Sequence, residues 1–189
     1  MSYKKGVLFI ISAPSGSGKT TLLNLLREEF PDIEYSVSHT TRSPRPGETD
    51  GRQYYFITKG EFEKKIAAGD FLEYAVVYDN YYGTSISEIE KKLSAGKDIV
   101  MDIDPQGAMQ MKEKTNRAVY IFIMPPSIEE LRARLKSRND TNETMELRLR
   151  DAAGEIAYKD RYDYVIVNDK LEQAYIELSG IYKKEKGEV

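Results

Sequence analysis

The residues with the clearest chemical potential lie in the stretch APSGSGKT, residues 13–20. Its spacing matches the phosphate-binding pattern G-x-x-x-x-G-K-[ST], with alanine in place of the first glycine. Gly16 and Gly18 can turn successive backbone N–H groups inward towards an anion. Lys19 can reach the β- and γ-phosphates of a nucleoside triphosphate, and the hydroxyl of Thr20 can ligate Mg²⁺. The loop therefore predicts a triphosphate site, without showing what is done with the triphosphate.

The sequence on either side supports this interpretation of the loop. An apolar run at residues 7–11 leads into it, and a leucine-rich segment at residues 22–26 follows it. A helix that starts at the loop directs free backbone N–H groups and its positive end at a bound anion. A Ser/Gly connector without a ligand is the alternative, but a strand before the loop and a helix after it favour phosphate binding. The predicted triphosphate-binding residues are Ala13, Pro14, Ser15, Gly16, Ser17, Gly18, Lys19, Thr20 and Thr21.

Arginines, prolines and tyrosines are concentrated in the stretch HTTRSPRPGETDGRQYYF, residues 39–56. Arg42 and Arg45 are three residues apart on a proline-constrained segment, and Arg52 follows. Arginine can bind two phosphate oxygens at once, and prolines limit the conformational freedom that binding removes. Taken alone, such a cluster is more often a solvated charged surface. Because a triphosphate loop lies upstream, a second phosphate-bearing ligand becomes the better interpretation.

Two aspartates follow the apolar run in IVMDIDPQGA, residues 99–108. Asp102 and Asp104 then stand at the carboxyl end of a predicted strand, where open α/β sheets bind ligands. Such a carboxylate can hold Mg²⁺ directly or through water. The alternative is helix capping, because Asp104 precedes Pro105, a favoured first helical residue. Both functions can hold, and Asp104 is the better candidate for the cap.

Short apolar runs indicate strands that are buried on both faces of a sheet. These runs are residues 7–11, 99–103, 119–124 and 164–167. Because segments with helical spacing lie between them, the chain is predicted to be an α/β protein with a parallel sheet flanked by helices. Two regions break this alternation. Residues 35–84 predict a small β-rich insertion with one helix near residues 61–68, and the arginine-rich residues 127–158 predict a helical lid.

These stretches together closely resemble the guanylate kinase family, whose members phosphorylate GMP with ATP. The matching segments, in order along nearly the whole chain, are SAPSGSGKTTL, SVSHTTRSPRPGETDGRQYYF, FLEYAVVYDNYYGTS, DIVMDIDPQGA, IFIMPPS and DYVIVND. The combination of T-T-R-x-P-R-x-G-E with N-Y-Y-G-T is the specific part of the match. The resemblance implies a P-loop NTPase fold in a single domain, residues 1–189. Its parts are a core (1–34, 85–126 and 159–189), a GMP-binding insertion (35–84) and a lid (127–158).

The resemblance also implies which residues bind GMP. Its phosphate is assigned to Arg42, Arg45, Tyr54 and Tyr82, and its guanine to Ser38, Glu73 and Thr84. Asp102 is implied to lie near the acceptor phosphate as well as the metal. Guanine presents N1–H and an exocyclic amine, two adjacent donors that the carboxylate of Glu73 can accept. Adenine has an acceptor at N1, so Glu73 would repel it. Without the resemblance, Glu73 is better explained as an exposed strand residue and the tyrosines as cross-strand packing.

Further arginines are implied to close over the transferred phosphate. The family pattern maps them onto Arg134, Arg138 and Arg148, which join Lys19 and Arg42 as catalytic candidates. The stretch between Arg138 and Arg148 is slightly shorter than the family pattern, so Arg150 is an alternative to Arg148. An ion-paired helix surface is the other explanation of these arginines. Asn168 is expected near the adenine, chiefly through its backbone. His39, the only histidine, is expected to be structural or exposed.

Composition bounds the remaining possibilities. The chain has 189 residues, no cysteine and a formal net charge of −3, which gives no reason to expect nucleic acid as a partner. No stretch approaches the roughly 18 apolar residues of a membrane span, and the absence of cysteine suits the cytoplasm. The expected reaction is ATP + GMP = ADP + GDP with Mg²⁺ as cofactor, and dGMP as a weaker acceptor. Alternatives are a non-catalytic interaction module, a kinase of another nucleoside monophosphate, or a GTPase, although the N-K-x-D element of a GTPase is absent.

Overall fold

The computed structural model describes residues 5–77, 79–114, 117–136 and 142–188. Their strands and helices are β1 (Leu8–Ser12), α1 (Lys19–Glu29), β2 (Glu34–Tyr35), β3 (His39–Thr40), β4 (Tyr55–Phe56), α2 (Lys59–Ala67), β5 (Phe71–Val77), β6 (Asn80–Ser85), α3 (Ile86–Ser94), β7 (Ile99–Asp102), α4 (Pro105–Lys114), β8 (Ala118–Met124), α5 (Ile128–Lys136), α6 (Asn142–Ile156), a short 3-10 helix (Lys159–Arg161), β9 (Tyr164–Val167) and α7 (Leu171–Lys186).

The central sheet has five parallel strands in the order β2-β7-β1-β8-β9. All five residues of β1 are buried, because helices cover both faces of this sheet. One face packs against α1 and α7 through Leu22, Leu26 and Leu178. The other face packs against α3 and α4 through residues such as Ile89 and Met111. The predicted parallel sheet flanked by helices is therefore confirmed.

A second sheet of four strands has the order β4-β3-β6-β5, with β5 and β6 paired antiparallel. Its helix α2 starts at a capping box formed by Thr58 and Glu61. Phe62 of this helix is fully buried, and its ring stacks on Phe71 at 4.2 Å and on Tyr81 at 4.9 Å between centroids. Except for Ser85, the last residue of β6, this sheet lies within residues 35–84, the stretch predicted to be β-rich.

The edge strand β2 belongs to the central sheet, because Tyr35 pairs with Val100. The predicted start of the insertion at residue 35 therefore falls inside a core strand. The helices α5 and α6 share a small apolar cluster of their own, made by Leu131, Leu135, Met145, Leu149 and Ala152. Arg138, predicted to be a lid arginine, lies outside the described residues. Within the ranges described above, no helix is long and apolar enough to cross a membrane.

Candidate active site

The glycine loop joins β1 to α1 at the carboxyl end of the central sheet. Gly16 (φ 93°) and Gly18 (φ 88°) adopt the left-handed conformation that L side chains rarely adopt. Gly18 is also the N-cap of α1, so the positive end of the helix opens onto the loop. A cavity of about 340 Å³ is lined by residues of the loop together with Asp104 and Glu155. The loop is therefore shaped to receive an anion through its backbone.

Asn168, which follows β9, ties the loop to the far edge of the sheet. Its side-chain Nδ2 donates to the carbonyl of Ser17 at 2.7 Å, and its backbone N–H donates to Met124 at 2.8 Å. Nη1 of Arg134 donates to the carbonyl of Asn168 at 3.0 Å. Asn168 is buried, so these bonds are shielded from water. Its geometry is that of a support for the loop, and the contact with adenine stays a prediction.

Lys19 is the charged group of the loop. Its ammonium contacts the carboxylate of Asp102 at the end of β7. Burial lowers the pKa of Lys19 to about 8, while the nearby carboxylates of Glu155 and Asp104 oppose that shift. Because the contact with Asp102 also favours the ammonium, Lys19 is charged at neutral pH. Thr20 and Thr21, in the first turn of α1, are exposed.

Asp104 accepts hydrogen bonds from the backbone N–H groups of Gln106 (2.9 Å) and Gly107 (3.0 Å). This is the predicted helix cap, and α4 begins at Pro105 as the sequence indicated. Asp102, two residues earlier, is exposed at the strand end and engages Lys19. Each aspartate therefore takes one of the two predicted positions, since Asp104 caps a helix and Asp102 faces the loop.

Glu155 of α6 was not among the predicted site residues. It lines the loop cavity, and its Oε2 is buried without a hydrogen-bond partner in the part of the chain that the structure describes. Burial, with Asp104 and Asp151 nearby, raises the pKa of Glu155. The spacing of Glu155 in the sequence gave an indirect indication, because it lies two helical turns after Arg148 and so on the same side of α6. That spacing predicts a site residue only if this side of α6 is known to face the loop, which the sequence does not show.

The residues implied for guanine come together on β5, on β6 and just before β3. The antiparallel register places Glu73 opposite Thr84, whose Oγ1 donates to Oε1 of Glu73 at 2.9 Å. The hydroxyls of Ser38 and Thr84 are 3.2 Å apart. Burial raises the pKa of Glu73, and the hydrogen bond from Thr84 opposes that shift. The three side chains form one hydrogen-bonded group with a carboxylate at its end.

The residues implied for the acceptor phosphate also lie together, and Arg45 is the one exception. The guanidinium of Arg42 lies 5.6 Å from the ring centre of Tyr54. The rings of Tyr54 and Tyr82 are 5.8 Å apart, edge to face. Arg45 is exposed on the same segment. Both Arg42 and the backbone of Arg45 bind Glu48, a residue that was not singled out from the sequence.

The lid arginines are placed differently from one another. Arg134 is half-buried and binds Glu130 (3.0 Å) in addition to Asn168. Arg148 is half-buried on α6, whereas Arg150 is exposed and lines a second cavity of about 580 Å³ that shares Asp104 and Glu155 with the loop cavity. Their contacts with phosphate stay a prediction. His39 is buried against the ring of Tyr55, at 4.8 Å, as a structural residue would be.

A left-handed glycine loop between a buried parallel strand and a helix defines the class: a P-loop α/β nucleotide-binding protein. A family model described as guanylate kinase matches residues 5–185. The guanylate kinase of Geobacter sulfurreducens is 50% identical over 94% of this chain and 88% of its own length. That of Protochlamydia amoebophila is 52% identical over 94% and 90%. The crystal structure of guanylate kinase from Anaplasma phagocytophilum covers 96% of this chain and 87% of its own, with 37% identity and a TM-score of 0.67. The chain belongs to the guanylate kinase family.

Proposed function

We propose that this protein transfers the γ-phosphoryl group of ATP to the phosphate of GMP, giving ADP and GDP. The observation that carries the proposal is the hydrogen-bonded group of Ser38, Thr84 and Glu73. It ends in a carboxylate that can accept the N1–H and exocyclic amine of guanine. Adenine would leave that half-buried carboxylate facing an acceptor, which is a strong ground for discrimination. dGMP keeps the same base and is a weaker acceptor in the proposal.

The side chains around the two phosphate sites account for the transfer step. The acceptor is already an anion at neutral pH, so a strong general base is unnecessary. The obstacle is the repulsion between two anionic substrates, which positive groups must offset as they hold the substrates in line. Lys19 serves the donor phosphates, and Arg42 with Arg45, Tyr54 and Tyr82 serves the acceptor. Arg134, Arg138 and Arg148 complete the charge when the lid formed by α5 and α6 closes and excludes water.

Mg²⁺ fits this donor set as an ion held largely by substrate and water. In the part of the chain that the structure describes, no group of three or more acidic or histidine side chains could cage a metal. Mg²⁺ usually takes few protein ligands and keeps several waters beside substrate phosphates. Thr20 would hold the ion through its hydroxyl, and Asp102 would hold it directly or through water. When bound, the ion neutralises charge on the β- and γ-phosphates.

The alternatives are weaker on specific grounds. A non-catalytic module has no need of a phosphate loop, whereas Gly16 and Gly18 here keep their left-handed conformations and Lys19 is in place. A kinase of another nucleoside monophosphate would not place a carboxylate such as Glu73 at the base. The absence of nucleic-acid partners and a cytoplasmic location stay predictions from composition.

A coupled ADP-release assay with a panel of acceptors tests the proposal. GMP should support rapid turnover and dGMP slower turnover, while AMP, CMP, UMP and dTMP should remain near the rate without acceptor. That acceptor-free rate is the control for ATP hydrolysis. Equal turnover of AMP and GMP would contradict the assignment of the guanine site.

A further inference from the structure

Glu48 lies at the centre of the arginine-bearing segment. Its Oε1 and Oε2 each lie 2.9 Å from Nη2 of Arg42, and Oε2 also accepts the backbone N–H of Arg45 at 2.7 Å. The backbone N–H of Glu48 donates in return to the carbonyl of Arg45 at 3.0 Å. One carboxylate therefore engages both arginines implied for the acceptor phosphate, one through its side chain and one through its backbone.

This ion pair is not a loose surface contact. The side chains of Arg42 and Glu48 are only 15% and 18% exposed, so water screens the pair less than it would at the surface. The hydrogen bond from Arg45 and the guanidinium of Arg42 hold the pKa of Glu48 below its usual range. Glu48 is therefore ionised at neutral pH, and the charge-assisted bonds to Arg42 persist.

The other contacts of Arg42 show what this pairing achieves. Nη1 donates to the carbonyl of Ser43 at 2.7 Å, and the ring of Phe56 lies 5.7 Å from the guanidinium. The guanidinium nevertheless lies 5.6 Å from the ring centre of Tyr54, whose ring is 5.8 Å from that of Tyr82, and both tyrosines are implied for the acceptor phosphate. The pair with Glu48 therefore keeps the guanidinium at the predicted phosphate site and does not draw it away. A free arginine side chain would have to lose rotamer entropy on binding, and the pairing with Glu48 removes that loss in advance.

We propose that Glu48 is a positioning residue for the acceptor phosphate. It holds the guanidinium of Arg42 beside Tyr54 and Tyr82, so that the phosphate meets a cation already in place. The inference rests on the proposed function. The opposite possibility is that Glu48 competes with the phosphate for Arg42, since a carboxylate near a phosphate repels it. The two possibilities predict changes of opposite sign when the charge of Glu48 is removed.

The test compares Glu48→Gln with wild type, with Glu63→Gln as the matched control. Glu63 is exposed on α2 of the same sheet region, so its substitution removes one charge without touching the phosphate site. Glu48→Gln should raise the KM for GMP about tenfold, because a positioned charge-assisted contact is lost. The KM for ATP should not change. The inhibition constant of guanosine, which lacks the phosphate, should stay within about twofold, because the guanine group is intact.

A double-mutant cycle tests whether Glu48 acts through Arg42. In an Arg42→Met background, Glu48→Gln should cause little further loss of kcat/KM for GMP. The inference is overturned by an unchanged or lower KM for GMP in Glu48→Gln, by an equal loss of guanosine binding, or by fully additive effects in the cycle. The proposed function is judged separately, by whether the wild-type protein phosphorylates GMP. If it does while Glu48→Gln behaves like wild type, only the role of Glu48 fails.

Discussion

The regions proposed to bind the phosphoryl donor and the acceptor are built in different ways. The donor region, residues 13–21, is a backbone structure that depends on the left-handed Gly16 and Gly18 and on the start of α1. The acceptor region is made of side chains, from Ser38 to Thr84, that two short strands and the antiparallel pairing of β6 with β3 and β5 bring together. The donor loop follows β1, whose five residues are all buried, whereas most acceptor side chains are half-buried on a small sheet, with Thr84 buried and Arg45 exposed.

This difference determines how each region should fail. A donor site made of backbone N–H groups depends on conformation, so a single Cβ in the wrong place can damage it. An acceptor site made of charged and hydroxyl side chains depends on ionisation and on hydrogen bonds, so its sensitivity is to charge and pH. Substitutions that change one of these properties at a time can separate the two regions.

The largest effect is expected from Lys19→Met, which removes charge at the donor site and leaves the backbone intact. Turnover with GMP should fall about 10³-fold, because the lost cation stabilises charge on the transferred group. GMP binding, measured by calorimetry, should be retained, since the acceptor side chains are untouched. Lys91→Met, on the exposed side of α3, is the control and should be near wild type. A retained rate would remove Lys19 from the chemistry.

A smaller effect is expected from Gly18→Ala, which changes the backbone and leaves the charge intact. A Cβ at Gly18 would lie 2.3 Å from Nδ2 of Asn168 and would occupy a left-handed residue. Strain together with the loss of the bond from Asn168 to Ser17 should lower the free energy of unfolding by about 3 kcal/mol. ATP affinity should fall as well. Calorimetry measures the affinity, and urea unfolding measures the free energy of unfolding.

Gly69→Ala is the matched control for that substitution. Gly69 also has a positive φ of 67°, but a Cβ there meets nothing within 4 Å. Its substitution should cost only the backbone strain, about 1 kcal/mol, and should leave ATP affinity unchanged. If the two alanine variants behaved alike, Asn168 would not be the support of the loop.

Four strands of the central sheet could be predicted from the sequence because each reads as an apolar run, even β9, where Val165 and Val167 are exposed. The predicted strand at residues 164–167 has the observed bounds. The strand predicted at residues 7–11 is observed one residue later, at Leu8–Ser12, and the other two differ by one residue at one end. The edge strand β2 could not be predicted in this way. It has two half-buried residues, which are too few to show a pattern.

The site was predictable where its residues form a contiguous motif and not where they meet only in the fold. Glycine spacing indicated the loop, but the bond between Asn168 and Ser17 spans most of the chain and leaves no local trace. Glu48 contacts Arg42 in an irregular segment, where no periodicity relates their positions. The prediction that Ser38, Glu73 and Thr84 bind guanine depended on the family resemblance, because an ordinary strand with alternating polar residues would also carry an exposed glutamate.

The smallest effect, and the one that isolates the acceptor region, is a pH dependence at Glu73. Burial raises the pKa of Glu73 above its ordinary 4.5, and only the carboxylate can accept both donors of guanine. Guanosine should therefore bind fully above the raised pKa and lose several-fold in affinity as the pH falls through it. Guanosine is the better probe than GMP, because a phosphate group titrates near pH 6 and would add its own change. The inhibition constant of guanosine, measured from neutral pH downwards, checks this expectation.

Glu73→Gln separates this titration from general acid effects. The variant should bind guanosine more weakly at neutral pH and should show a flat profile, and a profile like that of wild type would contradict the assignment. In the unliganded protein, the stability that Glu73 contributes should depend on pH in the opposite direction from guanosine binding. Because the folded state binds the proton of Glu73 more tightly than the unfolded chain does, its contribution to the free energy of unfolding is greatest below the ordinary pKa. That contribution is lost as the pH rises through the raised pKa. The ionised carboxylate that guanine requires is therefore the form of Glu73 that lowers stability when no guanine is bound.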